Sequence, residues 1–190
     1  MQRIPEPELM DDEAQVRAYA EADFAEPHDH FVALLQEKLP DLASTGFAID
    51  LGCGAGDISR RFARASPGWQ VRGIDGSPTM LRVAAEMTRD AGLADPDVFW
   101  STMRDWSMPG GAVFVMDLLR PTDRATAEQF VNLYAADEPE VLQIDFFNSL
   151  LAAYAVDELR AQLDRAGLGY LPIEVVSDRH VIVWGRVDGP

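Results

Sequence analysis

A chain of 190 residues with 47% hydrophobic side chains can build a substantial single core and is too apolar to be disordered. Its net charge of -16 argues against an autonomous nucleic-acid binder, which needs clustered Lys and Arg, and favours a small-molecule partner. No apolar run approaches the about 18 residues of a membrane span, residues 1–12 hold four acids and two prolines in place of an apolar signal core, and a single cysteine, Cys53, suits a reducing cytoplasm.

In chain order, the first 45 residues read as a helical cap. Asp12 and Gln15 make a capping-box-like start for a helix that runs to about Phe24. Pro27 separates it from a second helix with Phe31, Leu34, Leu35 and Leu39 on one face, stopped by Pro40. His28 and His30 flank Asp29 in what reads as a solvated loop, and nothing nearby completes a metal site.

An apolar run from Phe47 to Leu51, with Asp50 inside it, then breaks into glycines at every second position, Gly52, Gly54 and Gly56. A helix pattern starts at about Asp57. Strand, glycine turn and helix in that order form a nucleotide-type binding corner, where glycine permits the sharp turn and the close approach of a ligand. A dinucleotide fingerprint requires its third glycine where Asp57 stands, and a carboxylate at a helix start repels a pyrophosphate. The corner therefore suits a ligand without phosphate better than NAD. Cys53 reads as a small filler within the loop. Val71 to Asp75 forms the next strand, and Ser77 as N-cap with Pro78 at the first helical position begins a helix whose apolar face is Leu81, Ala84, Ala85 and Thr88 and which Gly92 ends.

Residues 93–108 read as one short helix with Val98, Phe99, Met103 and Trp106 apolar. After Pro109-Gly110, the run 111–117 is continuous and apolar, as in a buried parallel strand. Ala127, Phe130, Val131 and Tyr134 mark a helix, Ile144, Phe147, Leu151 and Tyr154 another, and 157–166 a third, ended by Gly167. Two strands, 173–176 and 180–187, close the chain, and the short link Ser177-Asp178-Arg179 requires them to be antiparallel.

With these elements in place, the chain resembles the class I S-adenosylmethionine-dependent methyltransferases. Their acid-x-Gly-x-Gly-x-Gly loop is matched from Asp50 to Gly56, and their acid at the end of the next strand by Asp75, 19 residues beyond Gly56. The antiparallel last strand is also a hallmark of that family. The resemblance implies that Asp50, Gly52, Cys53, Gly54, Gly56, Asp75, Gly76 and Met80 bind S-adenosylmethionine. The Gly52 and Gly54 backbones would lie along its methionine part, Asp75 on the ribose hydroxyls and Met80 against the adenine. N-terminal helices of this kind often close over the cofactor in the family, which makes Tyr19, Asp23 and Phe24 candidates for a lid; the alternative is that Tyr19 and Phe24 are core anchors.

The family places a third strand, a helix, a fourth strand and another helix where only the 16 residues 93–108 stand here. One βαβ unit takes roughly 30 residues, so a segment at about Ala94-Asp95 is missing. Unpaired central ladders cost about 1–3 kcal/mol per buried group, so the expected fold is a shortened, doubly wound Rossmann-like α/β sheet of order 2-1-5-7-6 in family numbering. Its last strand is antiparallel, helices cover both faces, and residues 46–190 form one compact unit behind the cap 1–45.

The resulting expectation is methyl transfer to a small-molecule acceptor in the cytoplasm, without metal, nucleic acid or membrane. The alternative is a catalytically silent relative that binds the nucleoside weakly or acts through protein contacts. Asp117, Arg120, Asp145, Asn148 and His180 are the polar residues expected to face the pocket, and Asp145, Asn148 and His180 are the candidates for catalysis. Asp145 and Asn148, three apart on one helix, either line an acceptor site or form a solvent-facing stripe. Phe99, Trp100, Met103 and Trp106, crowded into the shortened connection, point to a homodimer.

Overall fold

The computed structural model describes residues 1–5, 10–88 and 110–187. The expectations for Gly76 to Thr88 and for the closing hairpin are therefore open to comparison, whereas Gly92 and the short helix at 93–108, with Phe99, Trp100, Met103 and Trp106, lie outside the described residues. The chain packs as two compact units, Leu9–Met103 and Met1–Glu8 with Arg104–Pro190.

The first unit contains α1 (Glu13–Glu21), α2 (Ala25–Lys38), β1 (Gly46–Leu51), α3 (Asp57–Ala65), β2 (Trp69–Ile74) and α4 (Pro78–Thr88). Its strands pair in parallel, Gly46 opposite Trp69 through Leu51 opposite Ile74. Asp12 caps α1 by accepting the Gln15 N–H at 3.0 Å, as its sequence pattern anticipates. The helix stops at Glu21, however, and α2 begins at Ala25, not after Pro27. Pro27 lies in the first turn of α2, where a missing N–H breaks no helical bond. His28 and His30 are consequently helical, not in a loop. Val16, Ala55, Met80 and Val83 form a small core with Met10, Tyr19 and Ala20 against it. This core packs α1 and α4 around the start of α3, so α1 and the glycine loop share one apolar cluster.

The second unit contains β3 (Ala112–Leu118), α5 (Arg124–Tyr134), α6 (Glu140–Ala152), α7 (Val156–Arg165), β4 (Ile173–Val175) and β5 (His180–Arg186). Its sheet has the order β3-β5-β4 with antiparallel neighbours throughout. The expected order is thus present as two ladders, 2-1 in β2 and β1 and 5-7-6 in β3, β5 and β4. No ladder joins β1 to β3 among the described residues. Ala127, Leu150 and Leu151 are the core between α5 and α6, with Phe130, Val131 and Phe147 packed on it. Tyr154 lies beyond α6 and bridges to Leu119. Residues 1–5 belong to this unit: Ile4 donates to the Leu151 carbonyl at 3.0 Å and Arg3 Nε to that of Ala152.

Candidate functional site

The glycine loop is held open by its own backbone. Gly52, Gly54 and Gly56 have φ of 74°, 50° and 79°, in the left-handed region that only glycine enters at little cost. The N–H groups of Gly52 and Cys53 both donate to the Ile74 carbonyl, at 2.5 and 2.8 Å, which pins the loop to the end of β2. Gly73 permits that closeness, because a Cβ there would lie 2.8 Å from the Cys53 sulfur. A Cβ on Gly52 would meet nothing within 4 Å, so this part of the backbone faces open space.

Asp75 follows β2 at once and organises the loop. Its Oδ2 accepts the Gly54 N–H at 2.8 Å and its Oδ1 the Ser77 N–H at 2.9 Å. Ser77 is the N-cap its pattern anticipates, accepting the Met80 N–H at 3.0 Å. It also donates its hydroxyl to Asp11 at 2.8 Å, and Asp11 accepts the Thr79 N–H as well. That second clamp has no signature in sequence, because the partners are far apart in the chain. It places Met80, 5% exposed, in the core beside the loop, while Gly76 is exposed.

Asp50, at the end of β1, accepts the Ser59 hydroxyl at 2.5 Å. Burial pushes its carboxyl above the usual range and the neighbouring Asp75 adds to this, although the Ser59 bond opposes them. The Cys53 thiol is pushed up to about 12, first by burial and then by Asp50 and Asp75. A thiol so reluctant to ionise is a filler and not a nucleophile.

Asp57, which the sequence offers only as a repeller of phosphate, is the centre of a network. It pairs with His28 Nδ1 at 2.8 Å, accepts Arg61 Nε at 2.7 Å and lies 3.3 Å from Arg60 Nη2. Burial alone would raise its carboxyl, but the bonds from Arg61 and His28 outweigh this and hold it below the usual range. Arg61 also reaches Asp29, and Arg60 donates to the Ala55 carbonyl at 2.7 Å. The spacing of Asp57, Arg60 and Arg61 on one helix is the signal from which this cluster was readable.

A cavity of about 200 Å³ opens on the loop, lined among others by Tyr19, Phe24, His28, Gly52, Gly54 and Asp57. Tyr19 and Phe24 stack at 4.9 Å between centroids, and Phe24 and His28 at 5.3 Å. The lid expectation for Tyr19, Asp23 and Phe24 therefore coincides with the cavity wall. Its volume is below the roughly 300–1,000 Å³ of complete ligand pockets, so alone it has room for no more than part of a ligand.

The electrostatics suit a cation. The nearby guanidinium groups are taken by Asp57, Asp29 and the Ala55 carbonyl, whereas Asp50 and Asp75 have no ion-pair partner among the described residues. Each still has acceptor capacity, since a carboxylate offers about four lone-pair sites. A ligand carrying an ammonium and a sulfonium, with a vicinal diol, fits this donor and acceptor set.

The remaining expected residues belong to the second unit. Asp145 and Asn148 lie half-buried on α6, and Asp117 is exposed on β3. His180 begins β5, with Nδ1 2.9 Å from the Ser177 hydroxyl. Arg120 is the buried member, paired through Nη2 with Glu158 at 2.9 Å.

The family described as methyltransferase domain matches residues 48–135, which contain the glycine loop and Asp75. Trans-aconitate 2-methyltransferase of Mycobacterium tuberculosis is 41% identical over 58 residues, 30% of this chain and 20% of that protein. A candidate S-adenosyl-L-methionine-dependent methyltransferase of Methanococcus maripaludis superposes over 98% of this chain and 99% of its own, with a TM-score of 0.64 at 16% identity. Residues 48–135 thus match a methyltransferase domain, and the fold is one that solved S-adenosylmethionine-dependent methyltransferases share. A plantazolicin methyltransferase solved with a monoazolic desmethylPZN analog and SAH shares the fold, with a TM-score of 0.61 at 11% identity over 93% of this chain and 86% of its own. The match to the curated methyltransferases spans about a fifth of their length. No helix among the described residues is long and apolar enough to cross a membrane.

Proposed function

We propose that the chain binds S-adenosylmethionine and transfers a methyl group to a small-molecule acceptor. The observation that carries this reading is Asp75: it ends β2, organises the glycine loop through Gly54, and keeps acceptor capacity for a diol. In this reading the Asp75 carboxylate takes the ribose hydroxyls, and the Gly52 and Gly54 backbones lie along the methionine part. Asp50, Cys53, Gly56 and Gly76 shape the loop around it, and Met80 backs the adenine. When bound, the cofactor supplies a methyl group already activated by a sulfonium.

The protein's task is then placement, because holding a nucleophile in line within about 3–3.5 Å provides much of the rate. Tyr19 and Phe24 exclude water from the cavity and offer ring faces to a cation, an attraction of about 0.5–2 kcal/mol. A general base is needed only where the acceptor must lose a proton, and Asp145, Asn148 and His180 are the proposed acceptor-side residues. We further propose a cytoplasmic homodimer, for which the exposed Leu133, Val141 and Ile144 on α5 and α6 supply apolar surface. Calorimetry with S-adenosylmethionine and with its demethylated product, followed by transfer of labelled methyl to a panel of small acceptors, tests the function. Absence of binding at millimolar ligand overturns it.

A further inference from the structure

We propose that Arg120 and the amino end of α7 form a site for the oxyanion of a small ligand, a carboxylate or a phosphate. Arg120 follows β3 by two residues, and its backbone N–H donates to the Tyr154 carbonyl at 3.2 Å. Its side chain is 8% exposed. Nη2 donates to Glu158, but Nη1 is buried and has no hydrogen-bond partner among the described residues. A buried donor without an acceptor is costly, and a charged one more so.

The guanidinium is held against the first turn of α7. Glu158, the third residue of that helix, accepts Arg120 on Oε1 and the Ala155 N–H on Oε2, at 2.9 and 3.0 Å. Ala155 stands at the N-cap with no side-chain oxygen to offer, so the first-turn amides have no side-chain cap. Two guanidinium groups offset the two acids of that turn, in a chain of net charge -16. Arg3 stacks on the Tyr154 ring at 4.2 Å and its charge also reaches Glu158, so two guanidinium groups act on one part-exposed carboxylate. The exposed Asp157 is the other acid of that turn.

Glu158 therefore shows the chemistry of the site while using half of it. A guanidinium fork takes an oxyanion through two parallel bonds, and Glu158 engages one nitrogen. An incoming oxyanion would take Nη1 and the open amides, where the helix dipole favours negative charge. The site lies within the second unit and stands independently of the methyl-transfer reading.

Calorimetry of the full chain with succinate, inorganic phosphate and neutral succinamide tests this. Succinate or phosphate should bind with a dissociation constant on the order of millimolar and succinamide should not; which anion binds identifies the source. Glu158→Gln removes the internal competitor and should tighten anion binding about fivefold to tenfold, while Arg120→Gln should weaken it at least about tenfold. Should Arg120→Gln fail to fold, Glu158→Gln carries the test alone, since its side chain is 37% exposed and an amide can still accept the Ala155 N–H. No anion bound by wild type or Glu158→Gln, equal binding of succinamide, or an affinity unchanged or lowered in Glu158→Gln overturns the proposal.

Discussion

Replacing Asp75 with Ala separates cofactor recognition from loop architecture. The carboxylate accepts two backbone N–H groups, from Gly54 at 2.8 Å and from Ser77 at 2.9 Å. Ser77 is 2% exposed, so water does not readily replace its lost acceptor. That orphan should cost about 1–3 kcal/mol of stability, or roughly 2–12 °C in Tm for a chain of this size. Removing the charge-assisted bonds to a ribose diol costs a further roughly 1.5–3 kcal/mol of affinity, a weakening of about 10- to 150-fold. Calorimetry with S-adenosylhomocysteine, on protein whose folding is checked by thermal unfolding, reads both. A lower Tm with an unchanged dissociation constant would refute the reasoning: Asp75 would then be architectural and the ligand would sit elsewhere.

Other outcomes follow from the same geometry. Gly52→Ala should leave a folded chain, strained by about 1–2 kcal/mol because φ is 74°, yet bind the cofactor at least about tenfold more weakly, since its methyl enters open space by the loop; retained affinity in calorimetry counts against a ligand there. Cys53, pushed up to about 12, should label slowly with iodoacetamide at pH 8 in native protein and quickly in urea, as mass spectrometry would show. Asp57 is held low, so its contribution is present above the unfolded value of about 3.9 and lost as pH falls through its folded pKa. Asp57→Asn should then cost about 1 kcal/mol at pH 7, with solvent screening allowed for, and progressively less as the pH is lowered below the unfolded value, by urea unfolding. Asp50 is raised, so its contribution is present below the unfolded value and lost as pH rises through the folded one; Asp50→Asn should be no less stable than wild type at pH 7 while binding the cationic cofactor more weakly.

The elements were legible where local chemistry dictates them. The run 47–51 breaking into Gly52, Gly54 and Gly56 announced β1 and the start of α3 at Asp57, and Ser77-Pro78 announced α4. The three residues Ser177 to Arg179 could connect only antiparallel strands, which is how β4 and β5 pair. The boundary between α1 and α2 differs from the sequence pattern because Pro27, which marks a break in sequence, is tolerated in the first turn of a helix. That shift put His28 and His30 outside a helix and hid the His28–Asp57 pair. The Asp11 clamp on Ser77 and the close approach of Cys53 to Gly73 arise from tertiary packing, which no local pattern encodes.

The most direct measurement is a calorimetric titration of this chain with S-adenosylmethionine, repeated with NAD. Two carboxylates with no ion-pair partner among the described residues, beside an uncrowded glycine loop with Asp57 at the start of α3, should give one-site micromolar binding of the first ligand and none of the second. No heat from S-adenosylmethionine at millimolar concentration, or tighter binding of NAD, would contradict the account.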